Sequence, residues 1–89
     1  ALSPNFPNPF NPETSLRLHL PQSGQVWLDV FDAAGQRVRS LVSGQLAAGV
    51  HVAVWDGRDQ RGRDVASGTY FARLRAGGVV QVSKMILLR

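Results

Sequence analysis

Few residues in this chain could carry out acid–base or nucleophilic chemistry. The two histidines, His19 and His51, lie in alternating apolar and polar stretches, and neither has a serine or carboxylate at the spacing of a dyad. Glu13 is the one glutamate, which excludes a glutamate pair for glycoside hydrolysis. The motifs G-x-S-x-G and H-E-x-x-H are absent. We therefore predict a protein that is not an enzyme, with no catalytic residues and no cofactor.

Three carboxylates lie close together in the stretch D-G-R-D-Q-R-G-R-D, at Asp56, Asp59 and Asp64. Carboxylate oxygens are ligands that calcium prefers, but the spacing is not that of an EF-hand and no glutamate closes the loop. The arginines between the carboxylates would also repel a cation. We interpret the stretch as turns in which aspartates bond the backbone and Gly57 and Gly62 take positive φ, and we predict no metal site.

The two tryptophans differ in their phase within the alternating pattern. Trp55 is expected to anchor the core at the end of a strand. Trp27 is out of phase with its apolar neighbours and should lie on an outer face, where a large aromatic side chain marks contact surfaces. Together with Arg17 and His19, expected on the same outer sheet face, Trp27 forms our candidate contact patch. Its partner would be a protein or a cell-surface polysaccharide stacked on the ring.

The chain carries a formal charge of +4, from ten Lys and Arg against six Asp and Glu. Such a charge could favour anionic partners. Scattered surface arginines are the alternative, favoured because no cationic run is longer than Arg37–Arg39. Phe71, Arg73 and Arg75 share one strand face, as a nucleic-acid surface would require, but they are too few for that assignment. We predict no nucleic-acid partner.

The elements that position these residues are strands. Alternation of period two recurs in T-S-L-R-L-H-L, Q-V-W-L-D-V-F and T-Y-F-A-R-L-R, while no helical period is present. The turns P-Q-S-G, D-A-A-G and A-G-G separate these stretches at intervals of about ten residues. This pattern predicts an all-β antiparallel sandwich of about seven strands. At 89 residues and without cysteine, the chain is expected to be a single domain, residues 1–89, that folds without disulfides.

Four of the five prolines lie between Ser3 and Thr14, in S-P-N-F-P-N-P-F-N-P-E-T. A linker or a P-x-x-P ligand is one interpretation. Because proline cannot donate to a sheet and fixes φ, we instead predict a stiff segment, residues 1–12, that packs on the sandwich. Phe10 should be buried at the open end of the sandwich. Asn8 and Asn11 should bond the backbone in Asx turns.

Three stretches together resemble a known family. N-F-P-N-P-F-N-P-E-T-S-L-R-L-H-L-P, V-W-L-D-V-F-D-A-A-G-Q-R-V-R-S-L and the stretch from A-A-G-V-H-V to K-M-I-L-L-R are similar to an immunoglobulin-like domain. That domain is shared by the flagellar hook-capping protein and the C-terminal sorting domains of bacterial proteins exported by type IX secretion. The resemblance covers about residues 5–89. The motif positions are Pro9, Phe10, Asn11, Pro12, Trp55, Asp56, Gly57, Asp59, Gly68 and Tyr70.

The P-N-P-F-N-P opening favours the sorting branch of this family. The resemblance then implies a non-enzymatic module at the end of a larger secreted protein, which is recognised by outer-membrane secretion and attachment proteins and holds upstream cargo at the cell surface. The chain begins without methionine and shows no signal peptide or membrane span, so we expect a module of a longer protein. The alternatives are a carbohydrate- or protein-binding accessory module and a structural spacer of the hook-capping type.

The resemblance also implies which residues of the last strand and of V-H-V-A-V-W are functional or buried. An open edge in the last strand could add a partner strand, and the recognition candidates are Lys84, Met85, Ile86, Leu87, Leu88 and Arg89. In V-H-V-A-V-W the family pattern places His51, Ala53 and Trp55 in the core. The exposed side is then a valine stripe, which forms an interface or is covered by residues 38–46. Its members are Val50, Val52 and Val54.

Overall fold

The computed structural model describes residues 1–89 as six strands with no helix. The strands are β1 (Thr14–Leu20), β2 (Gly24–Asp32), β3 (Arg37–Leu46), β4 (Gly49–Trp55), β5 (Gly68–Ala76) and β6 (Val79–Leu87). β1 and β4 form one sheet, and the other has the order β3-β2-β5-β6, with antiparallel neighbours throughout. The all-β immunoglobulin-like sandwich is confirmed, with six strands rather than about seven. No helix is present that could cross a membrane.

The core lies between the two sheets and follows the period-two pattern of the strands. Each strand buries alternate residues, because successive side chains of a strand point to opposite faces. The buried apolar residues are Phe10, Leu16, Leu18, Leu20, Val26, Leu28, Val30, Trp55, Tyr70, Ala72, Leu74, Met85 and Leu87. The period-two alternation predicted for β1, β2 and β5 is therefore confirmed.

The valine stripe of β4 is confirmed as exposed. Val50, Val52 and Val54 are 54–60% accessible, whereas Trp55 on the opposite face is fully buried. The segment Val38–Leu46 does not cover the stripe, because all of it belongs to β3 on the edge of the other sheet. Of the two predicted fates of the stripe, coverage by this segment is wrong.

Residues 1–12, the N-terminal segment, run along the seam between the two sheets. The segment pairs with β1 through isolated bridges at Leu2–Leu18 and Phe6–Ser15, and it reaches β6 through a parallel bridge from Phe10 to Leu87. Three of its X-Pro peptide bonds are cis. Since these bridges are isolated, the segment contributes no seventh regular strand. Phe10 is 2% exposed, which confirms its predicted burial.

Candidate functional site

Three aromatic rings from distant parts of the chain meet at one end of the sandwich. The Trp55 ring lies 5.5 Å from that of Phe10 and 5.1 Å from that of Tyr70, in tilted and edge-on arrangements. The Trp55 indole N–H donates to the Arg58 carbonyl at 2.9 Å, and the Tyr70 hydroxyl donates to the Ala66 carbonyl at 2.6 Å. Burial raises the pKa of Tyr70 above 10.0. We call Phe10, Trp55 and Tyr70 the aromatic cluster.

Arg89 fixes the loop between β4 and β5 against this cluster. Its backbone N–H donates to the Ser67 hydroxyl at 2.8 Å, and its Nε donates to the Val65 carbonyl at 2.6 Å. Its Nη2 donates to the Gly57 carbonyl. Gly57 has φ of +73°, and a Cβ built there would lie 2.8 Å from the Arg89 guanidinium. Glycine is therefore required at this position by backbone conformation and by the close approach of the arginine.

The carboxylates of this loop serve its turns and its arginines. Asp59 accepts hydrogen bonds from the Arg61 and Arg63 amides, and these bonds, Arg63 first, lower its pKa below 3.8. Asp56 pairs with Arg39 at 3.1 Å and also accepts from the Arg58 amide. No group of three or more histidine, cysteine or acidic side chains lies close enough together to hold a metal ion. The predicted Asx-type turns of the loop are confirmed.

The N-terminal segment covers the outer edge of β6 at its C-terminal half. The Asn8 amide bonds the Lys84 carbonyl and the Ile86 N–H, and the Phe10 backbone bonds the Ile86 carbonyl and the Leu88 N–H. The expected open edge at residues 84–89 is therefore wrong, because another segment of the chain already fills it. The Asn8 side chain bonds the distant strand β6 instead of forming an Asx turn with its own neighbours. Asn11 makes no side-chain hydrogen bond, so both turn predictions are wrong.

Burial divides the six recognition candidates of the last strand. Met85 and Leu87 are fully buried and belong to the core, so a partner could not reach them in the folded domain. Lys84 and Leu88 are exposed, and Ile86 is half-buried. Arg89 is also exposed, but its side chain is bonded to the loop after β4. An interaction with this end of the chain would therefore use Lys84 and Leu88, and the remaining candidates serve the fold.

The predicted contact patch does not form, because its members lie on different sheets. Trp27 is on the outer face of the four-stranded sheet, whereas Arg17 and His19 lie beside the valine stripe of the other sheet. His19 and Trp27 still line a common cavity of about 480 Å³ at one end of the sandwich. The Arg75 guanidinium lies 4.8 Å above the Trp27 ring, so that ring face is not free to stack on a sugar.

Arginines and aromatic rings cover the outer face of the four-stranded sheet. The Arg73 guanidinium lies 4.5 Å above the Phe31 ring, in the same kind of cation–π contact that Arg75 makes with Trp27. Asp29 lies between Trp27 and Phe31 on β2 and is only 2% exposed. Its Oδ2 is 3.9 Å from Arg75. Asp29 shares the outer face of β2 with Trp27, and Arg75 of the neighbouring strand β5 contacts it. Local sequence contains no signal for that contact.

The family model for the FlgD Ig-like domain matches residues 8–78 of the chain. The basal-body rod modification protein FlgD of Salmonella typhimurium is 37% identical over 62 residues, which is 67% of this chain and 27% of that protein. The chain thus spans about a quarter of this curated relative. The crystal structure of FlgD from P. aeruginosa is 32% identical, with a TM-score of 0.61 over 83% of this chain and 58% of that one.

Two proteins of Porphyromonas gingivalis share the fold. PorU, whose structure is that of a dimeric latent form, has a TM-score of 0.69 and 21% identity over 94% of this chain and 9% of its own. PorZ, described as an essential bacterial surface component of the type IX secretion system, has a TM-score of 0.68 and 18% identity. The match covers 96% of this chain and 11% of PorZ. In both proteins the shared fold is a small part of a longer chain.

Proposed function

The chain belongs to the FlgD Ig-like domain family, and on this basis we propose that it is a non-enzymatic sorting and surface-attachment module of a secreted bacterial protein. In this role an outer-membrane secretion machinery recognises the folded module, and cargo fused to it is carried to the cell surface. Polypeptide recognition of this kind needs a rigid presented surface rather than reacting groups.

The convergence of four separate motifs at one end of the sandwich is the observation that carries this proposal. P-N-P-F-N-P supplies Phe10, the W-D-G loop supplies Trp55 and Gly57, the G-x-Y-F strand supplies Tyr70, and the final strand supplies Arg89. These contacts fix the C-terminal end of the chain on the folded domain. Lys84 and Leu88 are thereby held on the surface beside the N-terminal segment, where a partner could contact them.

Export of a fused reporter tests the proposal. A secreted reporter carrying the chain at its C-terminus is expressed in a bacterium with type IX secretion, and reporter is measured at the cell surface and in the medium. We expect export with the natural chain and strong loss with Lys84→Glu/Leu88→Glu, which leaves Met85 and Leu87 in the core. The control Arg61→Glu/Gln22→Glu makes the same charge change at exposed positions away from the chain end and should export normally. Periplasmic retention of the reporter with the natural chain would contradict the proposal.

A structural domain of the hook-capping type is the second candidate. The family match and the identity to FlgD proteins, higher than that to PorU and PorZ, favour it. In this case the reporter would not be exported, and replacing the corresponding domain of a FlgD protein with this chain should support hook assembly. The two measurements therefore separate the candidates. A carbohydrate-binding module is less well supported, since the Arg75 guanidinium already lies over one face of the Trp27 ring.

A further inference from the structure

The outer face of the four-stranded sheet has an ordered array of cations and aromatic rings across its strands. One row, in register order from β3 to β6, contains Arg37, Phe31, Phe71 and Lys84. The next row contains Ser40, Asp29, Arg73 and Val82, and the third contains Ser43, Trp27, Arg75 and Val80. Directly opposed residues of antiparallel strands point to the same face, so all twelve side chains lie on one surface.

Most of the positive charge on this surface is not neutralised within the domain. Arg37, Arg73 and Lys84 form no ion pair, and Arg75 has only the 3.9 Å contact with Asp29. The other carboxylates are outside these rows: Glu13 precedes β1, Asp32 ends β2 opposite the buried Tyr70, and Asp56, Asp59 and Asp64 lie in the loop after β4. Asp29 is the sole acidic group on the face, and it is buried beneath the guanidinium groups. The surface therefore has four cations against one inaccessible carboxylate.

Stacking holds two of these cations in fixed positions. A guanidinium above an aromatic ring is oriented by the ring and keeps its N–H groups available at the edge of the stack. The buried Nε atoms of Arg73 and Arg75 and one oxygen of Asp29 have no hydrogen-bond partner in the domain. Fixed guanidinium groups lose little conformational freedom when they pair with a carboxylate, so this arrangement suits recognition of acidic groups.

We propose that this face, comprising Arg37, Arg73, Arg75 and Lys84 with Val80 and Val82, is a binding surface for an acidic polypeptide. The arginines cap the Phe31 and Trp27 rings, so these rings are not free to stack on sugars or bases. Val80 and Val82 are 59% and 60% exposed and offer apolar contacts that a highly charged polysaccharide does not use. Arginine and aromatic residues beside apolar side chains are the composition of protein interfaces.

This surface is separate from the chain end on which the export role rests, apart from Lys84, so the test measures binding alone. Fluorescence anisotropy is recorded for the purified 89-residue chain and a labelled synthetic peptide of repeated Glu-Glu-Val units. A Lys-Lys-Val peptide is the opposite-charge control, and dextran sulfate is the anionic polysaccharide competitor. We expect the acidic peptide alone to bind, with an affinity that falls as salt rises, because screening weakens contacts between exposed charges.

Two charge-matched double variants localise the binding. Arg37→Gln/Lys84→Gln removes two cations of the face without disturbing the stacked arginines, and it should weaken acidic-peptide binding by about tenfold, equivalent to about 1.4 kcal/mol. Arg17→Gln/Arg61→Gln removes the same charge from exposed arginines outside the face and should leave binding unchanged. Arg73→Gln should also weaken binding, with thermal unfolding used to check that the variant folds.

Three results would overturn the proposal. Equal weakening by both double variants would mean that net charge alone attracts the peptide. Tighter binding of dextran sulfate per charge, sensitive to the same Arg37→Gln/Lys84→Gln change, would assign the face to polysaccharide. Absence of binding by the acidic peptide at low salt would reject the surface altogether. Each of these outcomes is independent of whether a fused reporter is exported.

Discussion

The two halves of β6 differ in what covers their outer edge. In the half from Lys84 to Leu87, the N-terminal segment bonds the outward N–H and C=O groups, and Met85 and Leu87 fill the core. In the half from Val79 to Ser83, the regular register directs the N–H and C=O groups of Val80 and Val82 outward, and no backbone partner meets them. The valines of this half are 57–60% exposed.

This difference separates the part of the strand that stabilises the fold from the part available for contact. Unpaired strand edges with exposed apolar residues are sites at which other chains add or aggregate. The P-N-P-F-N-P segment, the W-D-G loop and the K-M-I-L-L-R end meet at the covered half, whereas the open half lies beside the arginine-rich face. The buried motif residues Phe10, Trp55 and Met85 thus serve the fold. The contact candidates are the exposed motif residues Lys84 and Leu88 and the cations of the outer face.

Removing the Phe10 side chain, at the covered half of β6, should cause the largest loss of stability. Phe10→Ala deletes a buried ring beside Trp55 that anchors the segment on β6, so we expect a loss of about 3–5 kcal/mol in the free energy of unfolding. Urea denaturation measures it. Phe6→Ala is the matched control, because Phe6 is 79% exposed and its loss should cost less than about 0.5 kcal/mol. Equal losses in the two variants would contradict burial of Phe10.

Gly57→Ala should have the next largest effect, since it disturbs the contact between the loop and the chain end. Alanine at positive φ costs about 1–2 kcal/mol, and displacement of the Arg89 guanidinium and the Pro12 carbonyl adds about 1–3 kcal/mol. Gly35→Ala isolates the backbone contribution, because Gly35 has φ of +84° and a Cβ added there would meet no atom within 4 Å. If the two glycine variants unfold at the same urea concentration, the close approach of Arg89 is not present.

Asn8→Ala tests the edge directly and should have a smaller effect. It removes two side-chain hydrogen bonds to β6, for an expected loss of about 1–2 kcal/mol. The exchange rate of the Ile86 amide hydrogen should rise in this variant. We expect the Val80 and Val82 amides to exchange at a high rate already in the natural chain. Asn11→Ala, which removes no side-chain hydrogen bond, serves as control. Slow exchange of the Val80 and Val82 amides before mutation would show that their half of the edge is covered.

The smallest expected effect is a loss of stability at alkaline pH, caused by Tyr70 of the aromatic cluster. Burial raises the pKa of Tyr70 in the folded state above 10.0, so the unfolded chain ionises first. The contribution of Tyr70 is fully present below pH 10 and is lost as pH rises through the folded pKa. Thermal unfolding between neutral pH and about pH 11 should show this decline, and Tyr70→Phe should reduce it. An unchanged decline in Tyr70→Phe would assign it to other groups.

The sequence supports the fold far better than it supports the contact surfaces. Alternation places Leu16, Leu28 and Tyr70 in the core, because the face of a strand residue is a local property. In β4 both faces are apolar, so alternation cannot choose between them, and the family pattern assigns the face of His51, Ala53 and Trp55 to the core. The occupant of the β6 edge could not be foreseen, because the contact of Asn8 with Lys84 and Ile86 depends on how segments 76–78 residues apart meet in space.

The same reason explains the errors on the candidate site. Alternation correctly places the side chains of Trp27, Arg17 and His19 on outer faces, but it does not tell which sheet a strand joins. The grouping failed because β1 pairs with β4, whereas β2 lies in the four-stranded sheet. The stacking of arginines on aromatic rings likewise depends on the β2–β5 register. The sequence showed that Phe71, Arg73 and Arg75 share one face of β5, but it did not show that β2 is the strand beside them.

The parallel bridge between Phe10 and Leu87 has a mechanical consequence. Since the two segments run in the same direction, a force that pulls Ala1 away from Arg89 draws them past each other lengthwise. The two Phe10 backbone bonds and the two Asn8 side-chain bonds would then bear the load together, in shear, instead of opening one after another. A domain joined to a partner at each end would resist extension through these four bonds until they break in one step.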